Sequence, residues 1–160
     1  MKSFANDFKV IQALRPGTTM NTASTGDWVN CKNAHALWAV IDVARPASKA
    51  IYAEAYSASD SAGTGVTAIT SGIHWWKNDG LSYDRLTAAT SSYSSHTEAA
   101  STGLYQIVAR LNPNILPSSH PWAAFGVRSS SQATNFVNMV YILESRYAGA
   151  QAYLATTSST

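Results

Sequence analysis

The chain has 160 residues, enough for one domain that buries a hydrophobic core without a disulfide or a metal ion. Its net charge of +2 argues against nucleic-acid binding, which needs clustered cations, and no stretch approaches the roughly 18 apolar residues of a membrane span. Only 12% of the side chains are charged, so we expect much of the surface to be covered in an assembly.

The N-terminal segment, residues 3–15, is predicted to form a short amphipathic helix or a docking arm. Phe4, Phe8 and Ile11 recur at i, i+4 and i+7, which would place them in one apolar stripe along a helix. Pro16-Gly17 ends the segment. A helix this short needs support, so the stripe lies either on the domain's own sheet or on a neighbouring subunit. The three residues are therefore interface candidates. No signal peptide is expected, since polar residues interrupt the apolar run, so we expect synthesis in a cytoplasm.

Alternating apolar and polar side chains then predict β-strands, because successive side chains of a strand point to opposite faces. Thr18–Thr25 is rich in β-branched residues. Ala36–Ala44 is apolar on both faces, which predicts a central strand. Arg45–Ser48 contains a proline and should break the chain, so that Ala50–Ser59 returns as the second strand of an antiparallel hairpin.

The rest of the chain continues the pattern, with one weak region. Leu81–Thr102 is the least regular part and holds a possible edge strand near Tyr93–Thr97. The further predicted strands are Val66–Thr70, Ile73–Lys77, Leu104–Leu111, Trp122–Arg128 and Phe136–Ser145.

Seven to nine short strands without a long helix predict an all-β fold, a single-domain antiparallel β-sandwich of jelly-roll type. The expected organisation is an N-terminal arm over residues 1–17, a sandwich over residues 18–150 and a polar tail over residues 151–160.

Catalytic and metal-binding patterns are weak. The four histidines stand far apart, without the short spacing of zinc motifs. His96 and Glu98 would share one face of a strand, but the Gly-x-Ser-x-Gly pattern of serine hydrolases is absent. We therefore predict that the protein is not an enzyme. The histidines are His35, His74, His96 and His120.

Cofactor and ion sites are equally unsupported. Gly63-Thr64-Gly65 lacks the third glycine of a dinucleotide fingerprint and is interpreted as a turn, so no cofactor is expected. Calcium binding by Asp60, Asp79 and Asp84 stays open, although their spacing matches no known loop. Cys31 is the only cysteine, so no disulfide forms within the chain, and we expect it to be a small buried residue.

The pair Trp75-Trp76 is the sharpest surface signal. Neighbouring residues on a strand face opposite ways, so at most one of the two rings packs in the core of the sheet. Three interpretations remain: both rings buried between the sheet and a covering loop, one ring anchoring a protein interface, or one ring stacking on a sugar.

The chain resembles small tailed-phage virion proteins that decorate or cement the capsid. Trp28–Ala36 leading into a hydrophobic strand, Leu86–Thr90 in a Ser/Thr/Ala-rich middle, and Ile142–Ala148 near the C-terminus carry this resemblance, which spans residues 18–150. The resemblance implies a non-enzymatic β-sandwich, made in the host cytoplasm and added in many copies to the capsid surface.

The same resemblance implies the major capsid protein and further copies of the chain, as dimers or trimers, as partners. The leading hypothesis is therefore a virion structural protein that stabilises a phage capsid, with Phe4, Phe8, Ile11 and either Trp75 or Trp76 at the interface. The alternatives are a carbohydrate-binding module and a tail or neck component with a similar sandwich.

Overall fold

The computed structural model describes residues 4–20, 23–79, 85–89, 94–129 and 134–146. The elements in chain order are one helical turn α1 (Phe4–Asp7), the strands β1 (Phe8–Thr19), β2 (Ser24–Thr25), β3 (Val29–Asn30), β4 (Ala34–Ala58), β5 (Thr67–Ala68), β6 (Ile73–Asp79), β7 (Thr87–Ala88) and β8 (Ser95–Leu111), the 3-10 turn η1 (Pro113–Ile115), and the strands β9 (Trp122–Ser129) and β10 (Phe136–Ser145).

The strands form two facing layers that share β4. The first layer has the antiparallel order β1-β10-β4-β8-β6-β7. The C-terminal half of β4, from Ile51 to Ala58, pairs on its other side with β9, which also pairs with β2 and β3, while its residues 51–54 still pair with the beginning of β8. Phe125 of β9 packs edge-on against Trp75 of β6 at 5.9 Å between ring centres, so the two layers meet face to face. The expectation of an all-β sandwich-like fold is confirmed.

The core lies between the layers and follows the predicted alternation. Leu37, Ala39, Ile41 and Val43 of β4 are buried, whereas the residues between them are only partly covered. Burial of these apolar side chains is the main favourable contribution to folding. The matching buried residues of the neighbouring strands are Ile107, Ala109 and Leu111 of β8, and Val137, Met139, Tyr141 and Leu143 of β10.

The helix expected over residues 3–15 is wrong beyond its first turn. Residues 8–19 form β1, which pairs with β10 from Phe8 opposite Glu144 to Thr19 opposite Phe136. Residues 8–17 therefore belong to the first layer rather than to a separate arm. Pairing with a neighbouring strand satisfies the backbone along its length, whereas a lone helix of this size is marginal.

The hairpin expected at Arg45–Ser48 is also wrong. The segment stays extended, and β4 runs unbroken for 25 residues. Its ladder with β8 skips between Arg45, opposite Gly103, and Lys49, opposite Ser101. Pro46 lies in this gap, where it removes no ladder hydrogen bond, since prolines are tolerated at such irregular points of a sheet.

The single strand expected over Thr18–Thr25 is wrong, because Thr18 and Thr19 end β1 and only Ser24–Thr25 form β2, whereas the later strands agree with the sequence in place and type. Phe136–Ser145 is reproduced to the residue, and Leu104–Leu111 forms the second half of β8. The expected edge strand near residues 93–97 is the beginning of β8, which starts at Ser95; Ser94 forms a turn, and residue 93 lies outside the described part. The predicted tail, residues 151–160, also lies outside the described residues. In the described part of the chain, no helix has the length and apolar character to cross a membrane.

Candidate functional site

The outward-facing side of the first layer, here called the outer face, is unusually apolar. One row of paired residues crosses it on four neighbouring strands, from Val140 through Val40 and Val108 to Trp76. Outer faces of antiparallel sandwiches normally carry polar residues, because they meet water. Within this row Val108 is buried, and Val140, Val40 and Trp76 are partly exposed.

The two adjacent tryptophans separate as the strand pattern predicts. Trp75 points between the layers and is only 4% exposed, with its ring against Phe125 and, at 6.1 Å between ring centres, against His96. Trp76 points to the outer face and is half-buried. Only Trp76 of this pair is therefore placed to meet a partner.

A second tryptophan joins Trp76 on the outer face. The rings of Trp38 and Trp76 stack at 5.9 Å between centres, and they belong to strands β4 and β6 on either side of β8. The guanidinium of Arg110 lies over the Trp38 ring at 5.4 Å, and His74 stacks on Trp76 at 6.1 Å. This aromatic cluster forms the β6 side of the outer face.

The opposite side of the outer face carries an apolar patch at β1, here called the N-terminal patch and formed by Phe4, Phe8 and Val10. The Phe4 and Phe8 rings stack at 5.0 Å. Phe4 is 59% exposed and Val10 is 56% exposed. Ile11, in contrast, lies opposite Tyr141 and packs against the core. The predicted stripe is thus divided by the strand geometry, and Ile11 is not on the surface that Phe4 and Phe8 share.

A chain of hydrogen bonds crosses the outer face next to the apolar row. Asp42 Oδ1 accepts from Gln106 Nε2 at 2.9 Å, and Asp42 Oδ2 accepts from Asn138 Nδ2 at 3.2 Å. Asn138 Oδ1 in turn accepts from Gln12 Nε2 at 2.7 Å. The carboxylate of Asp42 is therefore held in a fixed orientation at the centre of the layer.

A pocket of about 210 Å³, here called the Asp42 pocket, opens beside this carboxylate. Its walls are mainly apolar, and two of them, Leu104 and Phe136, are 52% and 39% exposed. The lining residues are Pro16, Gly17, Asp42, Val43, Ala44, Leu104, Tyr105, Phe136, Val137 and Asn138.

A second pocket, of about 230 Å³, lies near the opposite ends of the same strands, beside the proline-rich loop that follows β8. Lys32 and Arg146 supply its charge, and Pro113, Leu116 and Pro121 are among its apolar walls. Cys31 also lines it but is buried, as predicted, and burial raises the pKa of its thiol to about 12. A thiol of this kind is not a nucleophile at neutral pH.

The candidates for catalysis are brought together only in part. His96 Nε2 lies 3.3 Å from Glu98 Oε2, and Lys77 Nζ lies 3.4 Å from Glu98 Oε1. His96 and Glu98 lie opposite Ala53 and Ile51, so they face the space between the layers. Across the described residues, no group of three or more His, Cys, Asp or Glu side chains could hold a metal ion. Asp84, one of the suggested calcium ligands, is outside the described part.

Sequence reasoning missed the Asp42 pocket. The strand pattern already placed Trp38, Val40 and Asp42 on one face of β4, and a carboxylate on an apolar face was the available signal. Its amide partners, Gln106 and Asn138, come from strands 64 and 96 residues further along the chain. Such distant pairing cannot be read from local pattern.

Comparison with known proteins gives distant structural likenesses only. No protein-family model and no curated protein sequence matches the chain. The chain is similar to the SPBc2 prophage-derived protein YomS, with 14% identity over 87% of this chain and 94% of that one, and a TM-score of 0.44.

It is also similar to a structure described as CBM4, with 8% identity over 95% of this chain and 71% of that one, and a TM-score of 0.36. A third likeness, to a fructofuranosidase from Schwanniomyces occidentalis, has 7% identity over 86% of this chain and 33% of that one, with a TM-score of 0.35. All three TM-scores are below 0.5.

Proposed function

We propose that this chain is a structural virion protein that decorates a phage capsid, stabilising the shell by binding the lattice of the major capsid protein and copies of itself. The sequence resemblance supplies the class of partner. The observation that carries the mode of binding is the N-terminal patch, in which Phe4 and Val10 are more than half exposed beside the edge strand β1.

The N-terminal patch suits docking for two physical reasons. Exposed phenylalanine and valine side chains gain free energy when they leave water, at roughly 25 cal/mol per Å² of apolar surface. β1 is also the last strand of its layer, and its outer edge faces away from β10, the only strand it pairs with in the described part of the chain. The edge strand of a sheet can pair with a strand of a neighbouring molecule.

Stabilisation of the shell then follows from mass action. A protein that binds the assembled lattice and not the free subunits shifts the equilibrium toward the lattice. Many copies held on one shell add their individually weak contacts. No catalytic group is needed for this role.

The test is occupancy of the double variant Phe4→Ser, Val10→Ser on capsids of its own phage that lack the protein. Purified wild type and variant are incubated with these capsids, the capsids are sedimented, and bound protein is quantified. We expect at least a ten-fold loss of bound variant with unchanged thermal unfolding. Unchanged occupancy would contradict the proposal.

The matched control is Val66→Ser, since Val66 has a similar exposure of 53% but precedes β5, away from the outer face. We expect it to bind as the wild type does. An equal loss in the control would show that removal of any exposed valine weakens binding, and the patch would lose its special role.

A second candidate, carbohydrate binding, is favoured by the stacked Trp38 and Trp76 rings on the outer face. Tryptophan faces are common platforms for the apolar side of a sugar ring. A glycan array on the wild type and on Trp76→Ala distinguishes the two functions: a glycan preference that the variant loses supports sugar binding, and no preference favours the capsid.

A further inference from the structure

The carboxylate of Asp42 is held in place by the chain of hydrogen bonds that crosses the outer face. Gln106 donates to one of its oxygens and Asn138 to the other, and Gln12 fixes the orientation of Asn138. Two amide side chains, from β8 and β10, thus donate to this one group, and the Gln12 amide that contacts Asn138 also donates to the carbonyl oxygens of Leu14 and Met139.

No cation of the described residues compensates this charge. Asp42 forms no ion pair within these residues, whereas Glu98 pairs with Lys77 and His96, and Glu54 pairs with Arg128. An ionised carboxylate has about four acceptor positions, and the two amides occupy one on each oxygen. One further acceptor position therefore stays open on each oxygen.

The shape beside the carboxylate fits a long side chain with a charged end. The Asp42 pocket, of about 210 Å³, has apolar walls that include the exposed side chains of Leu104 and Phe136. Asp42 is the only charged residue among those lining it. Apolar walls suit the methylene groups of a lysine or arginine, and an aromatic wall attracts a cation.

We infer that the Asp42 pocket binds an arginine side chain of a protein partner. The charge is complementary, and the planar guanidinium matches the two remaining acceptor positions with two parallel N–H donors, which the single ammonium of lysine does not. The inference rests on the proposed function only in taking the partner to be a protein, and it adds the residue type that the partner must present.

The direct test uses a small probe and needs no capsid. Nα-acetyl-arginine methylamide is titrated into the ¹⁵N-labelled protein, with the uncharged isostere Nα-acetyl-citrulline methylamide as control. We expect saturable amide shifts at Leu104, Phe136 and Asn138 with arginine, and at least five-fold weaker binding of citrulline. No shifts at these residues, or equal binding of the two probes, would overturn the inference.

Two variants separate the contribution of the Asp42 charge to arginine binding from that of the apolar pocket walls. Asp42→Asn should weaken arginine binding at least five-fold, and Leu104→Ser, which leaves the carboxylate untouched, should weaken it about three-fold. Unchanged binding in both folded variants would contradict the inference. A maltose titration forms a further arm: sugar binding at the same amides, in place of arginine binding, would overturn the inference in favour of a glycan site.

Capsid-binding measurements link the inference to the proposed function, and their outcomes can contradict either one independently of the other. Asp42→Asn should reduce occupancy on the capsid, and the difference from wild type should shrink at high salt, because screening weakens ion pairs. If the Phe4, Val10 variant binds capsids normally while the arginine probe still binds, the proposed function fails and the pocket assignment stands. If the Phe4, Val10 variant loses occupancy but the arginine probe does not bind, the proposed function stands and the pocket assignment fails.

Discussion

The guanidinium carbon of Arg45 lies 3.9 Å from the centre of the Tyr105 ring, and the Arg45 side chain is almost completely buried. Its nitrogens donate to the carbonyl oxygens of Lys49 and Ala99, at 3.1 and 2.7 Å, and to Ser101 Oγ at 2.7 Å. These acceptors lie beside the gap in the ladder between β4 and β8. Arg45 thus links the two strands with its side chain where their regular backbone pairing is interrupted.

Arg45→Ala should destabilise the fold by at least about 2 kcal/mol, since it removes the cation on Tyr105 and leaves two carbonyl groups without this donor. Urea unfolding followed by far-ultraviolet circular dichroism measures the change. The matched control is Arg128→Ala. Arg128 also lies over a tyrosine ring, Tyr52, at 4.4 Å and pairs with Glu54, but it is exposed. We expect the control to cost less than about 1 kcal/mol, and equal losses would refute the role assigned to Arg45.

Tyr141→Phe should cost roughly 1–3 kcal/mol, because it removes a buried hydroxyl that joins the layers. Tyr141 Oη accepts from the backbone N–H of Phe125 at 2.7 Å. The phenylalanine keeps the ring but leaves this buried N–H without its partner. Thermal unfolding of the two proteins gives the difference. A change below about 0.5 kcal/mol would mean that water or a shifted backbone takes the place of the hydroxyl.

The two adjacent tryptophans should differ sharply in their effect on stability. Trp75→Ala opens a cavity between the layers and should cost roughly 3–5 kcal/mol. Trp76→Ala, on the outer face, should cost less than about 2 kcal/mol, as its ring is only half-buried. Chemical unfolding followed by circular dichroism avoids the loss of tryptophan fluorescence. Similar costs for both would argue that the outer face is covered within the chain itself.

Stability should fall at alkaline pH in a way that depends on Cys31. Burial raises the pKa of this thiol from 9.0 to about 12, so its contribution is complete below pH 9 and is lost as the pH rises toward 12. The slope from this group is about 1.4 kcal/mol per pH unit. Cys31→Ala has no such group. In the presence of a reductant, the stability difference between wild type and variant should be constant below pH 8 and shrink between pH 9 and 11. A difference that stays constant up to pH 11 would show that the thiol is not buried.

The sequence pattern predicts the strands of the core well and the continuity of the chain poorly. Alternation alone locates Phe136–Ser145, because one face of that strand is buried and the other is not. Arg45-Pro46 has the composition of a turn, yet β4 continues through it. The side chain of Arg45 bridges the irregular part of the β4–β8 ladder through Ala99 and Ser101, which lie more than 50 positions away, so local composition does not reveal these contacts.

In the candidate site, too, some features follow from the local sequence pattern and others depend on distant strand pairing. Strand geometry predicts that the rings of Trp75 and Trp76 face opposite ways, but only the structure shows that Trp75 is the buried one. The positions of Phe8 and Ile11 on opposite faces of β1 do not follow from the sequence. The spacing of Phe4, Phe8 and Ile11 fits one face of a helix, and it is also compatible with a strand. The pairing of β1 with β10 decides between them.

The position of β1 sets the order in which the proposed docking surface is completed. Phe8 lies opposite Glu144 in the sheet, although 136 residues separate them in the chain. During synthesis, the N-terminal patch emerges from the ribosome first, but its strand has no place in the sheet until β10 has followed. Contacts of such long range also form slowly. A newly made chain therefore completes the proposed docking surface only after β10 has been translated and paired with β1.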